Sequence, residues 1–473
     1  MERLTLRELA QATNGQLLGV QHPDVAFHKI GIDSRRIQRG EVFWALRGER
    51  HNGHDFAAQA FENGAALCVC SKDRAASITG PVVVVDDTTR ALGRFANWYR
   101  QQSDSMVIGV TGSVGKTTTR EMIYAALSSQ FRGIRSLSNF NNQIGLPLSL
   151  LELESHHEFA VIETGASEVG NIRALCELAE PEIGVITAIG PAHLQSFGSI
   201  EAIVQTKGEL LESLPSSGFA VLPGDDATLR QMALRAPCPV IFVGVHELNR
   251  IRASRIEVQP RSLHFHCEGQ DFRIPVMGRH VLSNALCAIA IGLEIGIKPH
   301  ALAEGLLNFQ PVSGRCHLTE IGPWVVIDDS YNASPLAVAA ACQLLGELSL
   351  PNRGQRLLVL GDMRELGPLA VAEHERIGGL VVQAGIDRLL ACGDHAADVA
   401  RGAARNGMKP HHIVAANNFE TLTAMLDCWL QPNDVLLIKG SRATRMERVV
   451  EWLNERAVHE GWHNGNAPQL RCA

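Results

Sequence analysis

Two series of short apolar runs organise most of the chain. The first comprises MVIGV from Met106, FAVIE from Phe159 to Glu163 and IGVIT from Ile183 to Thr187. Stretches of helical period separate these runs, as in the segment through Glu121, Ile123 and Leu127. Unbroken apolar runs of this length suit strands covered on both faces, and their alternation with helices predicts a parallel sheet. The second series follows Gln310-Pro311: WVVID (Trp324 to Asp328), RLLVL (Arg356 to Leu360), RLLAC (Arg388 to Cys392) and DVLLI (Asp434 to Ile438). It predicts another doubly wound unit of about 160 residues, a normal domain size. Up to about Pro81 the runs are shorter and surround one clear helix, Asp55 to Gly64, before the apolar strand Val82 to Val85. The expected architecture is therefore α/β in three domains. Residues 1–85 form a small mixed α/β domain, 86–312 a central parallel-sheet domain that the loop VTGSVGKTTT, Val110 to Thr119, makes P-loop ATPase-like, and 313–473 a Rossmann-like domain.

Length agrees: 473 residues at roughly 150 per domain give three. Net charge is -7 from 43 basic and 50 acidic residues, with no block of Lys or Arg, so no nucleic-acid partner is expected. The opening MERLTLRELAQATNG mixes charges into its first turns, and no apolar run reaches the roughly 18 residues of a membrane span, so the expectation is a cytoplasmic protein. The 11 cysteines are scattered without a C-x-x-C pair and sit in apolar contexts such as Cys176, Cys287 and Cys392. Reduced, buried thiols are expected rather than disulfides or zinc. The second series contains no G-x-G-x-x-G, which argues against a dinucleotide.

The chemistry concentrates in VTGSVGKTTT, Val110 to Thr119. A strict phosphate loop reads G-x-x-x-x-G-K-[ST], and here Val110 occupies the first position. The working parts remain: a strand, a glycine-bearing loop, Gly115-Lys116-Thr117, then a helix. Backbone N–H groups from Thr111, Gly112, Ser113, Val114, Gly115 and Thr118 can surround phosphate oxygens, Lys116 can neutralise them, and the Thr117 hydroxyl can hold magnesium. Glu163 ends the next strand, where side chains of an open α/β sheet face the ligand crevice. Taken alone, such a Glu is more often a cap or a solvated charge, a lone His such as His193 is more often a structural hydrogen-bonder than a ligand, and Thr206-Lys207-Gly208-Glu209 has the composition of an exposed turn.

Several segments in one order resolve this ambiguity. Thr111-Gly-Ser-Val-Gly-Lys-Thr117, Asn139-Phe-Asn-Asn-Gln-Ile-Gly-Leu-Pro147, Glu163, Gly190-Pro-Ala-His193 and Lys207-Gly-Glu209 resemble the central domain of the Mur ligases, which build the peptide stem of bacterial peptidoglycan. Gly112-x-x-Gly-Lys-Thr117 is the form of phosphate loop that this family uses. Asp328-Asp-Ser-Tyr-Asn-Ala-Ser-Pro335, Leu360-Gly-Asp-Met-Arg-Glu-Leu-Gly367, Asp33-Ser-Arg35 and Gly48 to Phe56 are similar to the branch that adds a dipeptide. The Asp-Asn-Pro-Arg run of the branch that adds a diamino acid is not found. Asn52 departs from the Asp common in the family, within a loop expected near the uridine end of the substrate. The resemblance runs from about residue 30 to about 450, and the tail HEGWHNGNAPQLRCA carries no reading.

The resemblance implies ATP and Mg2+ as cofactors, UDP-N-acetylmuramoyl-tripeptide and D-alanyl-D-alanine as substrates, and a monomer. It implies that Lys116, Glu163, His193 and Lys207 are catalytic. Thr117, Glu163, His193 and Lys207 would serve magnesium, Lys207 as a carbamate formed with CO2. It further places Asn284, Arg315, Asp329, Tyr331 and Asn332 at the nucleotide. Ser34 and Arg35 fall at the UDP end of the substrate, and Asn139, Asn141 and Asn142 beside the reacting groups. Lys439 to Arg442 is expected near the cleft.

Overall fold

A computed structural model describes residues 1–137, 139–350, 354–462 and 471–472. Its centre is a seven-stranded sheet in the order Ile251–Arg252, Val240–Gly244, Phe219–Pro223, Ile183–Ile186, Met106–Thr111, Phe159–Glu163, Gly133–Arg135, with every neighbouring pair parallel. The runs read as buried strands are buried: all of Phe159–Glu163 and all of Ile183–Ile186 are out of solvent. Helices Lys116–Leu127 and Leu282–Glu294 cover one face, joining Met122, Ile123, Leu286 and Ile289 to Ile108 and Val161 in one core. The other face packs against Ile172, Leu210 and Leu211, and against N-terminal residues that include Phe95. Strand Met106–Thr111 lies between strands that follow it in sequence, so chain order reverses on its two sides. The carboxyl ends of its neighbours open a crevice there, where α/β sheets bind ligands.

The C-terminal sheet has six strands in the order His317–Ile321, Trp324–Asp329, Val435–Lys439, Arg356–Gly361, Arg388–Cys392, Ile413–Ala416. The first pair is antiparallel and the rest are parallel. The N-terminal sheet has five: Gln16–Leu18, Val82–Val85, Leu67–Ser71, Val42–Trp44 and Ile30–Gly31, antiparallel only in its first pair. The expected helix Asp55 to Gly64 divides into a 3-10 turn, Gly53–Phe56, and a helix, Ala57–Glu62.

One element is absent from the sequence reading. Ser254–Gln259, Ser262–Cys267 and Gln270–Ile274 form a three-stranded antiparallel sheet. Its second turn uses left-handed Glu268 and Gly269, with φ of 49 and 76°. Glu-Gly between alternating residues was the local signal available. The ten cysteines whose side chains are described are free thiols. Burial pushes Cys176 and Cys287 up to about 12, which keeps them protonated and unreactive. Of the tail, residues 463–470 and 473 lie outside the described residues, while Arg471–Cys472 pair with Leu348–Ser349.

Candidate active site

The phosphate loop is shaped by two glycines. Gly112 has φ +149° and Gly115 +85°, in the region that disfavours a side chain. A Cβ on Gly112 would lie 2.0 Å from the Thr187 hydroxyl, so strand Ile183–Ile186 and the loop approach as closely as glycine permits. Beyond Gly115 the helix begins at Lys116, leaving its first N–H groups directed into the crevice.

Ser113 to Thr118 line a cavity of about 1380 Å³ between the central and C-terminal sheets. Lys116 Nζ donates to the Gly112 carbonyl at 2.8 Å. Burial holds its pKa below the usual lysine value; Glu163 pulls it up and Arg315 pushes it down. Thr111 and Gly112 do not line the cavity: Thr111 is fully buried and donates its hydroxyl to the Thr164 carbonyl at 2.8 Å.

Glu163, itself buried, is the hub of the site. Its Oε2 accepts from the Thr117 hydroxyl at 3.0 Å and Oε1 from Asn141 Nδ2 at 2.9 Å, while its backbone N–H donates to Ser136 Oγ. Asn141 therefore orients the carboxylate, a contact between residues 22 apart that the sequence did not reveal. Asn139 lines the cavity too. Asn142 also lines it and accepts from the N–H groups of Ile144 and Gly145, shaping the start of helix Gly145–Leu150. Arg120, one turn beyond Thr117, reaches Glu163 Oε2 at 3.4 Å and was missed by the sequence reading.

Lys207 is not on an exposed turn. It lies within helix Ile200–Glu212 and is 3% exposed. Burial, reinforced by the charge of Lys116, lowers it to about 7, against the opposing pull of Glu209 and Glu163. His193, in left-handed backbone at φ 55°, turns its Nδ1 to Glu365 of the C-terminal part, and the Gln195 N–H donates to the Glu365 carbonyl at 2.9 Å. Burial lowers the His193 pKa against the attraction of Glu365. Gly190 is tied to Ser113 Oγ, and a Cβ there would meet Leu336 at 2.0 Å, so this loop touches both sides of the cleft.

The opposite wall holds the nucleotide candidates. The Arg315 guanidinium lies 4.1 Å over the Tyr331 ring. Asp329 and Lys439 are register partners on adjacent strands and form a buried ion pair. Lys439 also donates to the Asn332 carbonyl at 3.0 Å, and Asp329 accepts from the Cys316 N–H at 3.2 Å. Asp329 is thus braced from two sides. Asn284 presents its amide beside Gly115, where a Cβ would meet Asn284 Oδ1 at 3.2 Å.

Ser34 and Arg35 stand apart from this cavity. Ser34 donates to Gln59 at 2.7 Å, and exposed Arg35 pairs with Asp33. Asn52 caps the Gly53–Phe56 turn, accepting from the His54 N–H at 3.2 Å, a task an Asp performs equally well. Among the described residues, no group of three or more His, Cys, Asp or Glu side chains could hold a metal ion. Thr117 and Glu163 offer oxygens beside a phosphate loop, which fits magnesium: that ion binds through one or two carboxylates together with substrate phosphates and water.

A phosphate loop facing a Rossmann-like sheet across one cleft defines a multidomain nucleotide-dependent enzyme, and three family models match the chain in order. The Mur ligase family, catalytic domain, matches residues 26–100; the Mur ligase middle domain matches 110–292; and the Mur ligase, glutamate ligase domain, matches 314–442. The chain belongs to the Mur ligase family. Within it, the chain is 36% identical to UDP-N-acetylmuramoyl-tripeptide--D-alanyl-D-alanine ligase of Bacillus subtilis (strain 168), over 96% of this chain and 99% of that one. It is 35% identical to the ligase of the same name from Escherichia coli (strain K12), with the same coverage. Among solved structures, MurF from Acinetobacter baumannii superposes with a TM-score of 0.87 at 31% identity, covering 96% of this chain and 99% of that one. MurF ligase from Thermotoga maritima in complex with ADP gives 0.79 at 28%, covering 92% and 98%.

Proposed function

We propose that this chain is the ATP-dependent ligase that joins D-alanyl-D-alanine to UDP-N-acetylmuramoyl-tripeptide, forming the amide bond that completes the peptidoglycan precursor. The observation that carries the reading is the convergence of Lys116, Thr117, Glu163, His193 and Lys207 on one cleft, in a chain that aligns with such ligases over nearly its whole length.

A carboxylate and an amine do not condense spontaneously in water. The tripeptide carboxylate first takes the γ-phosphoryl group of ATP, releasing ADP and leaving an acyl phosphate. The dipeptide amine then attacks the acyl carbon, phosphate departs, and the amine loses a proton. Lys116 and the N–H groups from Ser113 to Thr118 stabilise charge on the transferring oxygens. Thr117 and Glu163, with His193 and Lys207 beside them, would hold magnesium, which would supply further charge neutralisation at the phosphates. Asn141 holds Glu163 in place, and Arg315, Asn284 and the Asp329–Asn332 turn receive the nucleotide. Asn139 and Asn142 line the side where the acyl group is expected. Ser34 and Arg35 are assigned to the UDP end, reached by a substrate long enough to extend from the N-terminal sheet to the cavity.

Lys207 is assigned as a carbamate. Its burial and its pKa of about 7 support this, because a lysine must be neutral to combine with CO2, and the product is an oxygen-donor anion. The contacts of Gly190, His193 and Gln195 with the C-terminal part support a domain closure that excludes water from the acyl phosphate. The sheets support domain limits near residues 85 and 312. Among the described residues no helix is long and apolar enough to cross a membrane. Separately, we assign a monomer in the cytoplasm. The test is mass spectrometry of the reaction with ATP, Mg2+, D-alanyl-D-alanine and competing UDP-muramoyl tripeptides. The expected product has the mass of a pentapeptide precursor. ATP turnover indifferent to the dipeptide would defeat the reading.

A further inference from the structure

Glu163 already has a cation at its side. Arg120 follows Thr117 by three residues, hence on the same helix face, and it is 3% exposed, so its charge must be answered by protein groups. Among the described residues, two carboxylates face it. Arg120 Nη2 and Nε donate to Glu121 Oε1 at 2.7 and 3.2 Å, and Nη1 reaches Glu163 Oε2 at 3.4 Å. Glu121 is in turn engaged by Arg135, whose Nε lies 2.6 Å from its other oxygen and whose guanidinium sits 4.0 Å over Tyr124. Arg135 compensates Glu121, and Glu163 pairs with Arg120. Two arginines and two glutamates therefore form a neutral row running inward from a separate cavity of about 450 Å³ that Arg120, Glu121 and Arg135 line. The oxygen that Arg120 shares is the one facing Thr117.

We propose that Arg120 is a positioning residue that makes metal binding at Glu163 conditional on nucleotide; this rests on the assignment of Glu163 as a magnesium ligand. A divalent ion arriving alone meets a carboxylate whose charge is already balanced and whose Oε2 is occupied. An ion arriving with a triphosphate brings its own anionic oxygens and gains the site. The consequence is an ordered entry in which metal and nucleotide bind as one unit.

The test uses Mn2+ as probe, followed by electron paramagnetic resonance on the full-length protein, first without nucleotide and then with a non-hydrolysable ATP analogue. Wild type is expected to take up Mn2+ strongly only with the analogue. Arg120→Met is expected to bind Mn2+ without nucleotide about tenfold more tightly than wild type, a gain that Arg120→Met/Glu163→Gln abolishes and Arg120→Lys does not show. If Arg120→Met does not fold by circular dichroism, Arg120→Met/Glu121→Gln, which removes the stranded partner as well, takes its place. A folded variant that binds Mn2+ no better than wild type, or a gain that survives Glu163→Gln, overturns the proposal. Failure of the underlying assignment reads differently: Glu163→Gln alone would then bind Mn2+ as well as wild type in the presence of the analogue.

Discussion

His193 and Glu365, 172 positions apart, meet across the cleft through the imidazole Nδ1 and a carboxylate oxygen. The carboxylate takes one ring nitrogen and leaves the other, the pattern by which a carboxylate fixes the orientation of a metal-binding histidine. One contact thus joins the chemistry of the central sheet to the position of the C-terminal sheet. The side chains are 41% and 54% exposed, so the pair adds little to stability, about 0–1 kcal/mol. On the proposed closure, its effect falls on how the two sheets meet.

Glu365→Gln should therefore leave the melting temperature within a few degrees while loosening the closed form. Small-angle scattering should show a larger radius of gyration than wild type with ATP analogue and muramoyl substrate, and KM should rise several-fold. An unchanged radius with both ligands would remove the closure argument.

Lys116→Met separates stability from activity. Burial disfavours the Lys116 charge, so an apolar side chain of similar length should not lower the melting temperature. Ligation should fall roughly a thousandfold, about 4 kcal/mol of transition-state stabilisation. Calorimetry beside single-turnover kinetics checks both halves, and a destabilised variant would contradict the burial account.

The Lys207 pKa of about 7, lowered by burial from its usual 10.5, sets two pH dependences. For stability, the unfolded chain binds more protons than the native one between these values. Stability should thus rise with pH across that window and lack this contribution below about 7. For activity, the neutral lysine that CO2 requires vanishes as pH falls below 7. Bicarbonate should raise ligation near pH 7 to 8 and do so less at pH 6. Lys207→Ala should lose ligation, keep nucleotide binding and recover partly with a small carboxylate such as acetate; full activity without rescue would end the carbamate assignment.

Gly112→Ala forces a Cβ to within 2.0 Å of the Thr187 hydroxyl and places it at φ +149°. A loss of about 1–3 kcal/mol is expected, together with weaker ATP binding as the loop moves off strand Ile183–Ile186. Denaturant unfolding and nucleotide titration measure the two effects. A variant equal to wild type in both would show that the loop has room.

The strands of both parallel sheets, the phosphate loop and the order of the family motifs were written in short stretches of residues. A buried strand needs only a few consecutive apolar side chains, and a phosphate cradle only a strand, glycines and a helix start, so neighbours along the chain suffice to show them. The sheet of residues 254–274 escaped because its strands carry charged or imidazole side chains, including His264, His266 and Arg273, that blur the apolar alternation. The roles of the charged groups were not local at all. Lys207 has the neighbours of an exposed turn, yet packing buries it. Asp329 reads as a turn former until strand register sets Lys439 beside it, and Asn141 and Arg120 become partners of Glu163 only when separate elements meet. Patterning along the chain determined which surfaces had to be covered. Tertiary packing decided which charges lost their water and which neighbours replaced it, because desolvation and pairing depend on distance in space, not on distance in sequence.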